Sequence, residues 1–240
     1  MPPHAGEAYP NFGSEERASG TIAGMIEGSF VVLEGIDGAG TTTQAGRLAA
    51  RFAGRGLPMV ITREPTTGPV GSLIRQALTH RFVVPGVHGG RPPSWKSMAL
   101  LFAADRLDHL EAEILPNLMD GVSVVSDRYD LSSLAYQSAT ADDESPGTVE
   151  WIRDLNRHAR RPDLTVVVDV SAETAARRRR ARGGTAELYE VTELQERLVA
   201  AYRNAETLVP GDRVVHVDGE AAPDDVEAAV YAAVVALRGG

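Results

Sequence analysis

The chain has 240 residues, enough for one domain with a buried core. Its formal net charge of −9 argues against a broad nucleic-acid-binding face, and no uninterrupted apolar run approaches the ~20 residues of a membrane span. There is no cysteine, which excludes disulfides, thiolate metal sites and cysteine catalysis; the cations are almost all arginine, and Lys96 is the only lysine.

Met1 to Gly28 is rich in Gly, Ala, Pro and Glu and shows no clear period, so a mobile tail is expected, followed by a single domain over 29–240. The tail has no basic patch followed by an apolar stretch, so it does not read as a signal peptide, and a cytoplasmic location is expected. Ser29–Glu34 is a continuous apolar run of the kind that forms a buried parallel strand. A Gly-rich turn, Gly35 to Gly40, leads into a helix expected over Thr42–Gly54. Gly56–Thr62 reads as a second strand, Pro65–Gly68 as a turn and Gly71–Thr79 as a short helix. His80–Pro93 carries several Gly and Pro and is expected to be a loop, an insertion in the domain.

Ser94 suits an N-cap for one long helix over Trp95–Met119, with Pro116 near its end. Gly121–Ser126 is a third strand, and helical patterns follow to about His158. Asp163–Val170 and Arg213–Val217 are a fourth and a fifth strand. Gln195–Leu208 and Asp224–Leu237 read as the last helices. Strands separated by helix-length segments imply a five-stranded parallel sheet with helices on both faces. Ligands of such sheets sit outside the carboxyl ends of the strands. Gly35–Thr43, Arg63–Glu64 and Asp127–Arg128 each follow a strand.

Gly35-Ile-Asp-Gly-Ala-Gly40-Thr41-Thr42-Thr43 has the glycine spacing of a phosphate-binding P-loop, G-x-x-x-x-G-K-[ST]. Gly35, Gly38, Ala39 and Gly40 would let backbone N–H groups curl toward a polyphosphate, and the following helix adds its positive end through Thr41, Thr42 and Thr43. Thr42 stands where the hydroxyl that ligates Mg²⁺ belongs. Thr41 stands where the lysine belongs and cannot supply the positive charge that bridges the β- and γ-phosphates. A plain strand-to-helix turn would use the same glycines.

Asp127 at a strand end can orient Mg²⁺ or a phosphate-bound water, and Arg128 can clamp an acceptor phosphate bidentately. A surface ion pair is the bland alternative. Ser132, Ser133, Tyr136 and Gln137 form a polar set at helical spacing. Phe102 and Arg106, four apart, put a ring and a guanidinium on one helix face, which suits a nucleobase or an ordinary core position.

The blocks Glu34-Gly-Ile-Asp-Gly-Ala-Gly40, Thr62-Arg-Glu-Pro65, Leu101–Arg106, Asp127-Arg-Tyr129 with Ser133 and Ala135-Tyr-Gln137, and Pro162-Asp-Leu-Thr165 with Asp169-Val170 resemble the thymidylate kinase family in order and approximate spacing. The resemblance implies a P-loop NTPase fold with a short basic lid at about 176–190. It also implies transfer of the γ-phosphoryl of Mg²⁺-bound ATP to dTMP for dTTP biosynthesis, in a homodimer. Phe102 would stack on thymine, Arg106 would meet its O4, and Ser133 or Gln137 its edge. Tyr136 would lie under the deoxyribose and Tyr189 near the sugar. Arg128 would hold the dTMP phosphate, Asp37 would organise that phosphate or its Mg²⁺, and Arg63 and Glu64 would line the same cleft. Glu190 would lie near the metal and phosphates.

The lid segment holds five arginines, Arg177 to Arg180 and Arg182, a run that elsewhere would be a solvated face. Here Arg178, Arg179 or Arg182 would stand in for the missing lysine, with Lys96 a second candidate. Two alternatives remain: a homologue that binds nucleotides without turnover, and a kinase for another nucleoside monophosphate.

Overall fold

The computed structural model describes residues 28–86, 89–141, 147–183, 189 and 192–238. All but the last residue of the expected tail, and much of the lid, lie outside these. The five expected strands are β1 (Phe30–Glu34), β2 (Met59–Arg63), β5 (Ser123–Asp127), β6 (Leu164–Asp169) and β7 (Val214–Asp218). They form one parallel sheet in the order β2-β5-β1-β6-β7. Every residue of β1 is buried. Its side chains alternate, so Val31 and Leu33 join one apolar cluster while Phe30 and Val32 join another. Helices therefore cover the central strand on both faces, as its unbroken apolar run requires.

The helices are α1 (Thr41–Ala53), α2 (Pro69–Leu78), α3 (Trp95–His109), α4 (Leu115–Met119), α5 (Asp130–Ala139), α6 (Thr148–Leu155), α7 (Ala172–Arg182), α8 (Thr192–Arg203), α9 (Ala205–Leu208) and α10 (Pro223–Val235). Helix α1 packs against α10 and the sheet, and α5 packs against α3, α6 and α8.

Three expectations change. The segment 80–93 is not all loop, because β3 (Val84–Gly86) and β4 (Gly89–Arg91) pair there as an antiparallel hairpin. The long helix over 95–119 is interrupted by a π-helical turn, Leu110–Ile114. Pro116 lies just after it and has no N–H to return to the preceding turn, which the wider turn accommodates. Residues 176–182 of the lid belong to the regular helix α7. Ser171 caps it by accepting from Thr174 N, and its last turn is basic.

Among the described residues no helix is long and apolar enough to cross a membrane.

Candidate active site

The glycine loop between β1 and α1 is shaped by positive backbone angles. Gly40 has φ 102° and Gly38 φ 96°, and a Cβ on Gly38 would sit 2.6 Å from the carbonyl oxygen of Ala175 in α7. Only glycine lets the loop approach the lid helix this closely. Thr42 Oγ1 donates to Asp127 Oδ2, while the buried Asp127 Oδ1 has no partner among the described residues.

The cavity over the loop is walled by Gly38, Gly40, Thr41 to Thr43, Asp127 and Arg128, and by Arg178, Arg179 and Arg182 from α7. Arg178 donates to Ala39 O (3.1 Å) and Gly219 O (2.8 Å). Arg179 donates to Asp37 O and to Gln195 Oε1 (3.0 Å). These two guanidiniums latch the loop to α7. Arg182 reaches the same cavity with no hydrogen bond or ion pair among the described residues. Lys96 does not join this cavity, since its Nζ lies over the Trp95 ring, 5.3 Å from the centroid.

A second cleft adjoins the loop. Phe102, Pro65 and Leu78 supply its apolar wall, and Arg128, Asp37, Ser132, Ser133, Tyr136, Gln137 and Tyr189 supply its polar one. Gln137 Oε1 is buried there without a partner. The Tyr136 and Tyr189 rings lie 5.2 Å apart, and burial pushes the Tyr189 phenol up to about 12. Tyr136 OH donates to Asp37 Oδ2 (3.2 Å), and the Arg128 guanidinium lies 5.3 Å from the Tyr136 ring centroid. Arg128 and Asp37 wall both this cleft and the loop cavity.

Arg128 holds φ 78°, a left-handed conformation that an L side chain adopts at a cost of about 1–3 kcal/mol. The neighbours that fix it are Leu33 O, which accepts from Arg128 N, and Ser126 Oγ, which donates to Arg128 O. Glu34 Oε1 also accepts from Tyr129 N (2.8 Å) and Ser132 N (3.1 Å). Glu34 is fully buried, and desolvation raises its carboxyl to about 7, against the lowering pull of Arg128 and the Ser132 and Tyr129 hydrogen bonds.

Three of the expected cleft residues are placed elsewhere. Glu64 turns into the helix layer, where Oε2 accepts from Arg106 Nη2 (2.7 Å) and Oε1 meets His109 Nδ1 (3.2 Å). Arg63 does not line the cleft with Phe102. It lines a neighbouring cavity with Thr42, Thr66, Thr67, Glu113 and Asp127, because successive residues of a strand point to opposite faces.

Arg106 does not open onto the cleft either. It is 1% exposed and holds Glu64, Asn156 Oδ1, Ser133 Oγ (3.0 Å) and Tyr129 O (3.1 Å). Its Nε is buried without a partner among the described residues. Glu190, expected near the metal, lies outside the described residues, whereas Thr42 and Asp127 are brought together.

Three contributors were not on the sequence-derived site. Glu34 ends an otherwise apolar strand, and a lone carboxylate in a buried run is a signal that could have marked it. Tyr202 of α8 gives no local signal, yet its OH donates to Glu34 Oε2 (3.1 Å) and accepts from Arg128 Nη1 (3.3 Å). Asp105 accepts from Thr66 N (2.8 Å) and Oγ1 (2.6 Å), so it fixes the turn carrying Pro65.

A parallel sheet with a glycine loop at its central strand, a threonine–aspartate pair beside it and an arginine-lined cavity defines a P-loop nucleotide-binding protein. The family model for thymidylate kinase matches residues 33–230. The chain is 40% identical over 208 residues to the probable thymidylate kinase of Thermococcus kodakarensis, covering 87% of this chain and 96% of that one. It is 39% identical over 191 residues to that of Pyrococcus horikoshii, covering 80% and 89%. To that of Thermococcus gammatolerans it is 42% identical over 189 residues, covering 79% and 88%. The chain belongs to the thymidylate kinase family, ATP-dependent phosphotransferases acting on nucleoside monophosphates.

Proposed function

We propose that the protein phosphorylates dTMP from ATP by direct in-line transfer. One observation carries this reading: Arg128 and Asp37 wall both the loop cavity and the adjoining cleft, so groups bound in the two meet at that pair. ATP would extend its phosphates over the loop amides, and dTMP would lie in the cleft with its phosphate at Arg128. A nucleotide phosphate is already anionic near neutral pH, its second pKa being about 6, so the acceptor needs no strong base. Positioning and charge neutralisation then do most of the work.

The donor set fits a magnesium ion carried with ATP. Thr42 and Asp127 would hold it, the unpartnered Asp127 Oδ1 being a free hard-oxygen donor. Such an ion would supply positive charge to offset that of the ATP phosphates. Asp37 would orient the acceptor phosphate. Arg182, the loop-cavity guanidinium without a partner among the described residues, would take the place of the missing lysine. Arg178 and Arg179 would keep the loop docked to α7.

In the cleft, Phe102 would stack on the base, with Tyr136 and Tyr189 beside the sugar and leaving no room for a 2′-hydroxyl. Gln137 Oε1, buried in the cleft wall without a partner among the described residues, would accept from the N3–H of thymine. Cytosine has no proton on N3 to offer it. Leu100 and Leu107 stand 52% and 37% exposed, seven residues apart on one face of α3, and Leu115 continues that stripe. A second copy covering it would make the homodimer, working in the cytoplasm where its nucleotides are.

The test is ADP release with ATP and Mg²⁺ against dTMP, dUMP, dCMP, dGMP and UMP. A clear preference for dTMP supports the reading, and preference for another acceptor sinks the dTMP assignment. Binding of dTMP and ATP without turnover would instead make the chain a nucleotide-binding homologue.

A further inference from the structure

Behind Arg128 lies a triangle of three oxygens. Ser132 Oγ is 2.6 Å from Glu34 Oε2, Tyr202 Oη is 3.1 Å from the same oxygen, and the two hydroxyls are 2.9 Å apart. Arg128 Nη1 donates to both hydroxyls, at 3.1 and 3.3 Å. A guanidinium only donates, so neither hydroxyl returns its proton to Arg128. Glu34 Oε1 is fully occupied as an acceptor from Tyr129 N and Ser132 N, so a proton on Glu34 belongs on Oε2.

The proton count separates two states. With Glu34 ionised, the two hydroxyl protons must serve three oxygen–oxygen contacts, and one contact is left without a hydrogen. With Glu34 neutral, a third proton closes the ring, and each oxygen donates once and accepts once within it. The neutral ring leaves no buried negative charge behind Arg128. The ionised one places a carboxylate there that competes with any anion in front of it.

We propose that Glu34 is the positioning residue of the acceptor step: its Oε1 locks the left-handed turn at Arg128, and the proton on Oε2 sets how much Arg128 charge remains for an acceptor phosphate. The proposal rests on the reading of Arg128 as the ligand of that phosphate. The groups around Glu34 agree with it. Arg128, from the turn after β5, and Tyr202, from α8, face it directly. Asp37 of the loop, Asp127 of β5 and Tyr136 of α5 act on Arg128 from its other side. Among the described residues no second carboxylate and no cation hydrogen-bonds to Glu34; Arg128 reaches it only through the two hydroxyls. A dianionic acceptor arriving at Arg128 therefore favours the neutral ring, and ionising Glu34 weakens the acceptor by linkage.

Glu34→Gln mimics the charge of the neutral state: Oε1 still accepts both amides, and Nε2 donates toward the two hydroxyls although, unlike the acid oxygen, it accepts from neither. The experiment is the dTMP dissociation constant by calorimetry, together with dTMP and ATP KM values, for wild type and Glu34→Gln at pH 6 and pH 8. The expected result is equal dTMP affinity at pH 6 and roughly fivefold tighter binding by the variant at pH 8, on the way to the tenfold limit set by about one pKa unit of coupling. The KM for ATP stays unchanged at both. Ionisation of the dTMP phosphate affects both proteins alike and cancels in the comparison.

Parallel pH profiles for the two proteins, while both bind dTMP, overturn the proposal alone. A wild type that binds no dTMP overturns the assigned function as well. Should Glu34→Gln not fold, Tyr202→Phe removes one corner of the ring without changing the packing volume much. It moves the pH midpoint of dTMP affinity if the ring sets it, and an unmoved midpoint overturns the proposal.

Discussion

Arg128 donates through Nη2 to Asp37 Oδ1 over 2.6 Å, and the pair stands on the border between the loop cavity and the acceptor cleft. One residue comes from the turn after β5 and the other from the loop after β1, neighbouring strands of the sheet. Replacing Arg128 by Ala is expected to lower kcat/KM for dTMP about 10²–10³-fold, the usual loss when an aimed charge donor is removed. Arg128→Lys should recover little, because an ammonium lacks the fork that reaches Asp37, Ser132 and Tyr202 together. Coupled ADP release measures both.

If Arg182 replaces the P-loop lysine, Arg182→Ala lowers kcat more than ~10-fold, or about 1.4 kcal/mol in barrier. Thr41→Lys in the same chain should restore most of that loss, whereas Thr41→Lys in the wild-type background should gain less. Additive effects in this double-mutant cycle would show that the two positions do not share a role.

Arg106 and Glu64 form an ion pair with side chains 1% and 2% exposed. Arg106→Met leaves Glu64 charged and buried, and is expected to destabilise the protein by about 3–5 kcal/mol. Arg106→Met with Glu64→Gln should recover part of it. Urea midpoints report the difference, with unchanged m-values confirming that the native fold is retained.

Glu34 makes stability depend on pH in the opposite sense to an ordinary surface carboxylate. Its folded carboxyl is raised from 4.5 to about 7, so below pH 4.5 folding gains the full benefit of keeping this group neutral. That benefit, on the order of 3 kcal/mol, is lost as pH rises from 4.5 through 7. Glu34→Gln should flatten the fall in the thermal midpoint between pH 5 and pH 8. A variant as steep as the wild type would assign the slope to other groups.

The exposed stripe of α3 gives a physical handle on assembly. Leu107→Glu places a charge at its middle and should convert a dimer to a monomer in sedimentation, with little effect on folding. A wild type that sediments as a monomer removes the second copy from the reading.

The backbone plan was legible in the amino-acid order. A parallel strand buried on both faces must be apolar throughout, so β1, β5 and β6 announce themselves as runs, and the glycines at 38 and 40 mark the loop because both take left-handed angles and Gly38 also abuts α7. Thr42 and Asp127 stood out because each follows a strand, whereas the α7 arginines were marked only by the family resemblance; the structure sets Thr42 beside Asp127 and those arginines over the loop. Partners far apart in the chain were not legible. Glu34 meets Tyr202 across 168 positions and Arg106 meets Asn156 across 50, contacts no local period encodes.

Tertiary packing therefore decided what each charge does. It committed Arg106 and Glu64 to each other and turned Arg63 to another cavity. It also bound Arg178 and Arg179 to backbone carbonyls while Arg182 found no partner among the described residues, and it closed a buried acid behind Arg128. Local order dictates where an element begins and which face is apolar. The work done by a guanidinium depends on which oxygens the fold brings within about 3 Å of it.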